Sequence, residues 1–238
     1  MPRDGVKDSD LATRLAVYLV ADPEAVRPGR DLLDDVAAAI EGGVTAVQLR
    51  GKRLSGYDTW LLARRLRELC RERNVLYFVN DRVDVAIATR ADGVHLGMSD
   101  VPLGVARELG GAAFVIGASP RELRQAADAG RQGANYVGVG PVFPTSSKAD
   151  AQPPIGLEGV SAQAAAAGLP SVGIGGITSE NAAAVIAAGA AGVAVISAIL
   201  GADDPRLAAA RLVEVVGRAK GARLATPMLG VVANDREN

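Results

Sequence analysis

Eight short apolar runs, each followed by a helical pattern, predict an α/β chain folded as a single (β/α)8 TIM barrel. The length agrees, since 238 residues lie close to the roughly 250 typical of one such barrel. No stretch between the runs reads as an interdomain linker. One domain is therefore expected, with a core over about 14–221, a polar lead-in at 1–12 and a loose C-terminal tail at 222–238.

The strands are expected at 15–22, 44–50, 75–81, 93–97, 113–119, 136–142, 170–176 and 192–198. They are rich in Val and Ile and mostly apolar on both faces, as strands of a covered parallel sheet are. Between them, 31–42 carries Leu32, Leu33, Val36, Ala37 and Ile40 at helical spacing. The stretch 57–71 places Leu61, Leu62, Leu66 and Leu69 on one face and many Arg on the other. The stretch 178–189 opens on cap chemistry at Thr178 and ends at Gly189, and a last helix is expected at about 203–221. Segments resembling GA-GV, at 91–94, 133–136 and 189–193, mark helix ends, with Gly accepting the left-handed cap. An open doubly wound sheet is the alternative to a closed barrel.

Composition narrows the function. Lys and Arg total 26 against 27 Asp and Glu, so no global charge draws the chain to nucleic acid or a membrane surface. Aromatic residues are only 3%, too few for an extended base-stacking surface. Cys70 is the only cysteine, which fits a reducing compartment, and the start is polar. No run has the length and apolarity of a membrane span. A cytoplasmic protein with small-molecule partners is expected; homo-oligomer formation is left open.

In such barrels chemistry sits at the C-terminal ends of the strands. Strand 2 ends in QLRGK (48–52), where Gln48, Arg50 and Lys52 alternate onto one face. Two cations and an amide aimed into a barrel mouth suit an anion, unless they are a salt-bridged strand end. Asn80 and Asp81 end strand 3, and Asp100 follows strand 4. Two carboxylates from adjacent strands suit Mg2+, with water and phosphate completing its shell, or they are ordinary turn residues. Ser119 before Pro120 is equally a helix cap. The loop GVGPVFPTSSK (138–148) carries Thr145, Ser147 and Lys148, as ligand-binding or as merely solvated groups. The glycines at 175–176 and the strand end at Ile196 and Ser197 form a second, backbone-based anion seat. His95, the only histidine, reads as a packed, hydrogen-bonded residue, and Cys70 as a small buried hydrophobe. No His/Cys cluster suggests zinc, and no dinucleotide fingerprint follows a strand.

The ordered set QLRGK, FVNDR, GVHLGMSD, IGAS, GVGPVFPTSSK, GIGGIT and VISAI resembles the thiamine-phosphate synthase (thiamine-phosphate pyrophosphorylase) family, over about 14–215. The resemblance implies condensation of a hydroxymethylpyrimidine diphosphate with a thiazole phosphate, with Mg2+, giving thiamine phosphate and pyrophosphate. It implies that Gln48, Arg50, Lys52 and Asn80 bind the pyrimidine diphosphate, and that Asp81 and Asp100 hold Mg2+. It places Ser119 on the pyrimidine and Lys148 on the departing pyrophosphate. Thr145 and Ser147 would bind the thiazole, with Gly176, Ile196 and Ser197 on its phosphate. Arg50, Lys52, Ser119 and Lys148 are the catalytic candidates. The departures are small: Ser147 where Thr is usual, Gly51 where Glu is frequent, MSD for QED, and Asn135 where Asp is usual. A thiazole tautomerase, in which His95 could act as acid or base, and a non-catalytic phosphate-binding barrel are the competing readings.

Overall fold

The computed structural model describes residues 8–145 and 152–225. Its strands are β1 Val17–Ala21, β2 Ala46–Leu49, β3 Leu76–Asn80, β4 Gly93–Gly97, β5 Val115–Ser119, β6 Tyr136–Val139, β7 Ser171–Ile174 and β8 Gly192–Val195. Each pairs in parallel with its sequence neighbour, and Leu19 of β1 faces Val195 of β8 to close the barrel. The open doubly wound sheet is thereby excluded. Helices alternate with the strands: α1 Asp8–Arg14, α2 Leu32–Glu41, α3 Gly56–Glu72, α4 Val83–Ala88, α5 Leu103–Gly110, α6 Leu123–Ala129, α7 Gly156–Ala167, α8 Ala182–Ala187, α9 Ser197–Leu200 and α10 Pro205–Ala225. No helix among the described residues is long and apolar enough to cross a membrane.

All eight expected strands form, but most are shorter than their apolar runs. Only part of each run pairs with both neighbours, and most runs continue past their strand into a loop. Ser197, expected at a strand end, instead opens α9, because the backbone turns at Ile196 (φ −115°, ψ −83°). Helix α2 matches its expected span, with the Asp31 carboxylate accepting from the Leu33 and Asp34 N–H groups. On α3 the inward stripe is Thr59, Ala63, Leu66 and Cys70, flanked by Leu62 and Leu69. Leu61 belongs to the solvent side, at 42% exposed, because it lies roughly half a turn off that stripe. Helix α8 starts later than expected, since Thr178–Asn181 is spent on a turn in which Asn181 Oδ1 accepts from Thr178 N.

The chain ends also differ from expectation. The polar lead-in contains α1, and Leu11 and Leu15 reach the core. The last helix continues to Ala225, so the first residues of the expected tail are helical.

The glycine punctuation divides into two kinds. Gly133 and Gly189 take positive φ (105° and 113°) before β6 and β8, as a left-handed turn requires. Gly93 and Gly192 do not cap; they lie inside strands, where a Cβ would stand 1.9 Å from the carbonyl oxygens of Val115 and Leu15. Before β4 the left-handed position falls to Arg90 (φ 54°).

Two polar latches tie strand starts together. The Asp92 carboxylate accepts from Tyr77 N at 2.9 Å and from Arg67 at 3.4 Å, linking β3 to β4 through α3. The second links β5 to β6. Asn135 Oδ1 accepts from Ile116 N at 2.9 Å and from Arg107 at 2.7 Å. Arg107 also donates to the Phe114 and Gly133 carbonyls. Asn135 thus does the acceptor work that a carboxylate does in the first latch.

Removing that acceptor strands part-buried N–H groups, at about 2 kcal/mol. Asn135→Ala should lower Tm by roughly 4–8 °C in calorimetry, whereas Asn135→Asp should hold it. An unchanged Tm for the alanine variant would refute the latch.

Candidate active site

A cavity of about 470 Å³ opens among the C-terminal strand ends. Gln48, Arg50, Lys52, Asn80, Asp81, Asp100, Ser119, Thr145, Gly176, Ile196 and Ser197 all line it. The structure therefore brings together every expected site residue that it describes. Ser147 and Lys148 lie outside the described residues.

The period of two along β2 puts Gln48 and Arg50 on the inner face. Arg50, only 9% exposed, donates to the Asp22 carboxylate at the end of β1. Asp22 is itself buried, and its other oxygen accepts from Glu24 N at 3.0 Å. Lys52 lies beyond the strand and donates to Asp81 Oδ2 at 2.6 Å. Both cations are thus salt-bridged, and both still face the cavity. The salt-bridged strand end is thus present, in a cavity that both cations line.

Asp81 sits at φ 62°, a left-handed conformation that short polar side chains tolerate. Its N–H donates to the His95 carbonyl at 2.9 Å, tying the β3 end to β4. Asp100 Oδ2 accepts from Gly97 N at 2.7 Å. Burial, then a hydrogen bond with the Asp81 carboxyl, raise the Asp100 pKa; the Gly97 N–H pulls the other way. Two carboxyl groups held against each other seek a cation. Among the described residues no cluster of three or more His, Cys, Asp and Glu is placed for a metal. Two hard oxygen donors still suit Mg2+, which keeps water and substrate oxygens as its other ligands.

Across the mouth, Gly175 (φ 98°) and Gly176 (φ 64°) turn the chain out of β7. Phe143 N donates to the Gly175 carbonyl at 3.0 Å, so the loop after β6 is pinned to this turn. A Cβ on Gly176 would stand 2.6 Å from the Pro144 carbonyl oxygen, so only glycine lets the two loops meet.

Sequence reasoning missed several lining groups. Tyr18, Tyr136 and Arg121 face the cavity. The signal for the tyrosines was available in strand parity: Tyr18 precedes the inward Val20 by two, and Tyr136 precedes the inward Gly138 by two. Arg121 had no such signal, because it follows Pro120 in an irregular turn. His95 is hydrogen-bonded, as expected, to Ser119 Oγ and Tyr136 OH, yet it also lines the cavity. Cys70 is buried as expected.

A closed parallel barrel whose strand ends surround one cavity of cations, paired carboxylates and a glycine turn is the plan of an enzyme acting on phosphorylated small molecules. The chain belongs to the thiamine monophosphate synthase family, whose profile matches residues 17–199, and it is a transferase. A thiamine-phosphate synthase of Moorella thermoacetica is 51% identical, over 81% of this chain and 92% of its own. One from Archaeoglobus fulgidus is 45% identical, over 89% and 98%. The solved thiamine phosphate pyrophosphorylase of Pyrococcus furiosus superposes with a TM-score of 0.79 at 40% identity, over 88% of this chain and 98% of that one.

Removing Asp22 would leave the Arg50 guanidinium buried without its partner. Asp22→Ala should destabilise the fold by about 3 kcal/mol, read from the urea midpoint. A wild-type midpoint would show that Asp22 does not hold Arg50.

Proposed function

We propose that the chain condenses 4-amino-2-methyl-5-hydroxymethylpyrimidine diphosphate with a thiazole phosphate, giving thiamine phosphate and pyrophosphate. One observation carries this reading. A single cavity has the Arg50, Lys52, Asp81 and Asp100 group at one edge and the Gly175–Gly176 turn with Ile196 and Ser197 at another. Two anionic ends can therefore be seated around one reacting centre.

In this reading Gln48 and Ser119 orient the pyrimidine, and Asn80, Arg50 and Lys52 take its diphosphate. Thr145 and Ser147 face the thiazole, whose phosphate rests on Gly176, Ile196 and Ser197. The methylene C–O bond breaks, and the leaving diphosphate takes the electron pair. The amino group of the pyrimidine spreads the positive charge left on carbon. The thiazole nitrogen lone pair then forms the C–N bond. No protein nucleophile is required. The protein's part is to neutralise the leaving group through Arg50, Lys52 and Lys148, hold the partners in line and exclude water. Asp81 and Asp100 would hold Mg2+, which supplies further neutralisation of the diphosphate when bound.

The near-balanced charge and single cysteine support a cytoplasmic enzyme, built as one barrel domain, whose partners are small-molecule substrates and neither nucleic acid nor membrane.

The direct test incubates both substrates with and without Mg2+. Thiamine phosphate and pyrophosphate should form in equal amounts, only with Mg2+. Thiazole isomerisation without pyrophosphate would favour the tautomerase, and binding without turnover the non-catalytic barrel. Lys148→Ala and Asp100→Ala should each lower turnover at least ~100-fold, the scale of one preorganised electrostatic group. Near-normal rates would remove these residues from the mechanism.

A further inference from the structure

Beneath the cavity a chain of hydrogen bonds crosses the barrel. Gln48 Nε2 donates to Tyr18 OH at 2.9 Å. Tyr18 OH meets Tyr136 OH at 2.9 Å. Tyr136 OH meets His95 Nδ1 at 3.0 Å, and His95 Nε2 meets Ser119 Oγ at 2.7 Å. Five residues from five different strands thus share one line, and both of its ends, Gln48 and Ser119, face the cavity.

The barrel makes room for this line. A Cβ on Gly117 would stand 2.2 Å from the Tyr136 ring and 2.4 Å from His95 Nδ1. On Gly138 it would stand 3.0 Å from His95 Cε1. Two glycines on neighbouring strands leave the space in which the Tyr136–His95 contact forms. Phe78 packs against both tyrosine rings, with centroids 5.5 and 5.6 Å away. Tyr18 and Tyr136 are almost wholly buried, and that burial holds both phenols in their protonated form.

Proton counting then fixes the direction of every bond. The Gln48 amide nitrogen only donates. The Tyr18 oxygen accepts that proton, so its own goes to Tyr136. The Tyr136 O–H in turn donates to His95 Nδ1. The reverse order would set two donors on Tyr18 oxygen and leave its buried proton without an acceptor, a costly arrangement. We infer that this relay holds His95 as the neutral tautomer protonated on Nε2, and so makes Ser119 accept from His95 and turn its own O–H toward the cavity as a donor. Gln48, whose nitrogen is committed to Tyr18, presents its carbonyl oxygen there as an acceptor.

The consequence is a specificity device. One acceptor and one donor at fixed positions complement an aminopyrimidine, whose amino group donates and whose ring nitrogen accepts. They do not complement a hydroxypyrimidine in its keto form, whose exocyclic oxygen accepts and whose ring N–H donates. Tyr18, Tyr136 and His95 are positioning residues that act through Gln48 and Ser119. The link to the pyrimidine rests on the proposed function; the tautomer does not.

The chain has one histidine, so its nitrogens can be observed without assignment. In protein labelled with 15N-histidine, long-range 1H–15N correlation should show a bare Nδ1 and a protonated Nε2. A proton on Nδ1 overturns the inference, whatever the enzyme makes. In the kinetic arm, Tyr136→Phe should raise KM for the pyrimidine diphosphate ~10-fold, the loss expected for one misdirected hydrogen bond. KM for the thiazole phosphate should stay within ~2-fold, and Ser119→Ala added to Tyr136→Phe should add little. Equal rises in both KM values, no rise in either, or fully additive losses would show that the relay does not act through Ser119. Absence of thiamine phosphate in the wild-type assay would instead remove the proposed function and leave the nitrogen spectrum standing.

Discussion

Charge balance at the ends of the first four strands governs the site. Arg50 and Lys52 supply two cations, and Asp22, Asp81 and Asp100 supply three carboxyl groups, in two sets of contacts: Arg50 with Asp22, and Lys52 with Asp81 and Asp100. Such a set does not attract a diphosphate by itself, because its positive charge is already engaged. Under the proposed function its carboxyl groups would take a divalent cation, and a seat completed in that way would receive phosphate oxygens. The ion pairs meanwhile keep long side chains aimed at the cavity, where a loose Arg or Lys would lose rotamer freedom on binding.

The barrel makes this arrangement possible from distant parts of the sequence. Parallel pairing brings all eight strand ends to one rim, and the period of two sends alternate side chains inward. The Asp92 and Asn135 latches sit at the opposite ends of the strands, where they secure register without occupying the cavity. Stability and chemistry are thus separated along the strand axis. The glycines at 93 and 192 serve closure, and those at 117 and 138 serve the interior of the cavity.

The closed barrel was legible because eight Val- and Ile-rich runs alternate with helical patterns, a signal that repeats and so corrects itself. The candidate site was legible where polar residues interrupt a strand end, as at Gln48, Arg50, Asn80 and Asp81. Burial and partners were less visible. Asp22 follows β1 like any turn residue, and nothing local says that Arg50 will reach it from the next strand. Leu61 was misplaced because it directly precedes Leu62, and consecutive helical residues point about 100° apart, which turns Leu61 away from the stripe. His95 was correctly read as hydrogen-bonded, but its partners Tyr136 and Ser119 lie two strands and one strand away, and the register of β4 with β5 and β5 with β6 makes them neighbours.

Under the proposed function Asp81 and Asp100 supply a metal seat without which Arg50 and Lys52 do not hold a diphosphate. Calorimetric titration of inorganic pyrophosphate into the protein tests it most directly. Binding should be strong with Mg2+, at least ~10-fold weaker without it, and reduced when Asp81 and Asp100 are both changed to Asn. Equal affinity with and without Mg2+ would show that the cations alone form the seat, and that the charge balance described for these strand ends does not govern the site.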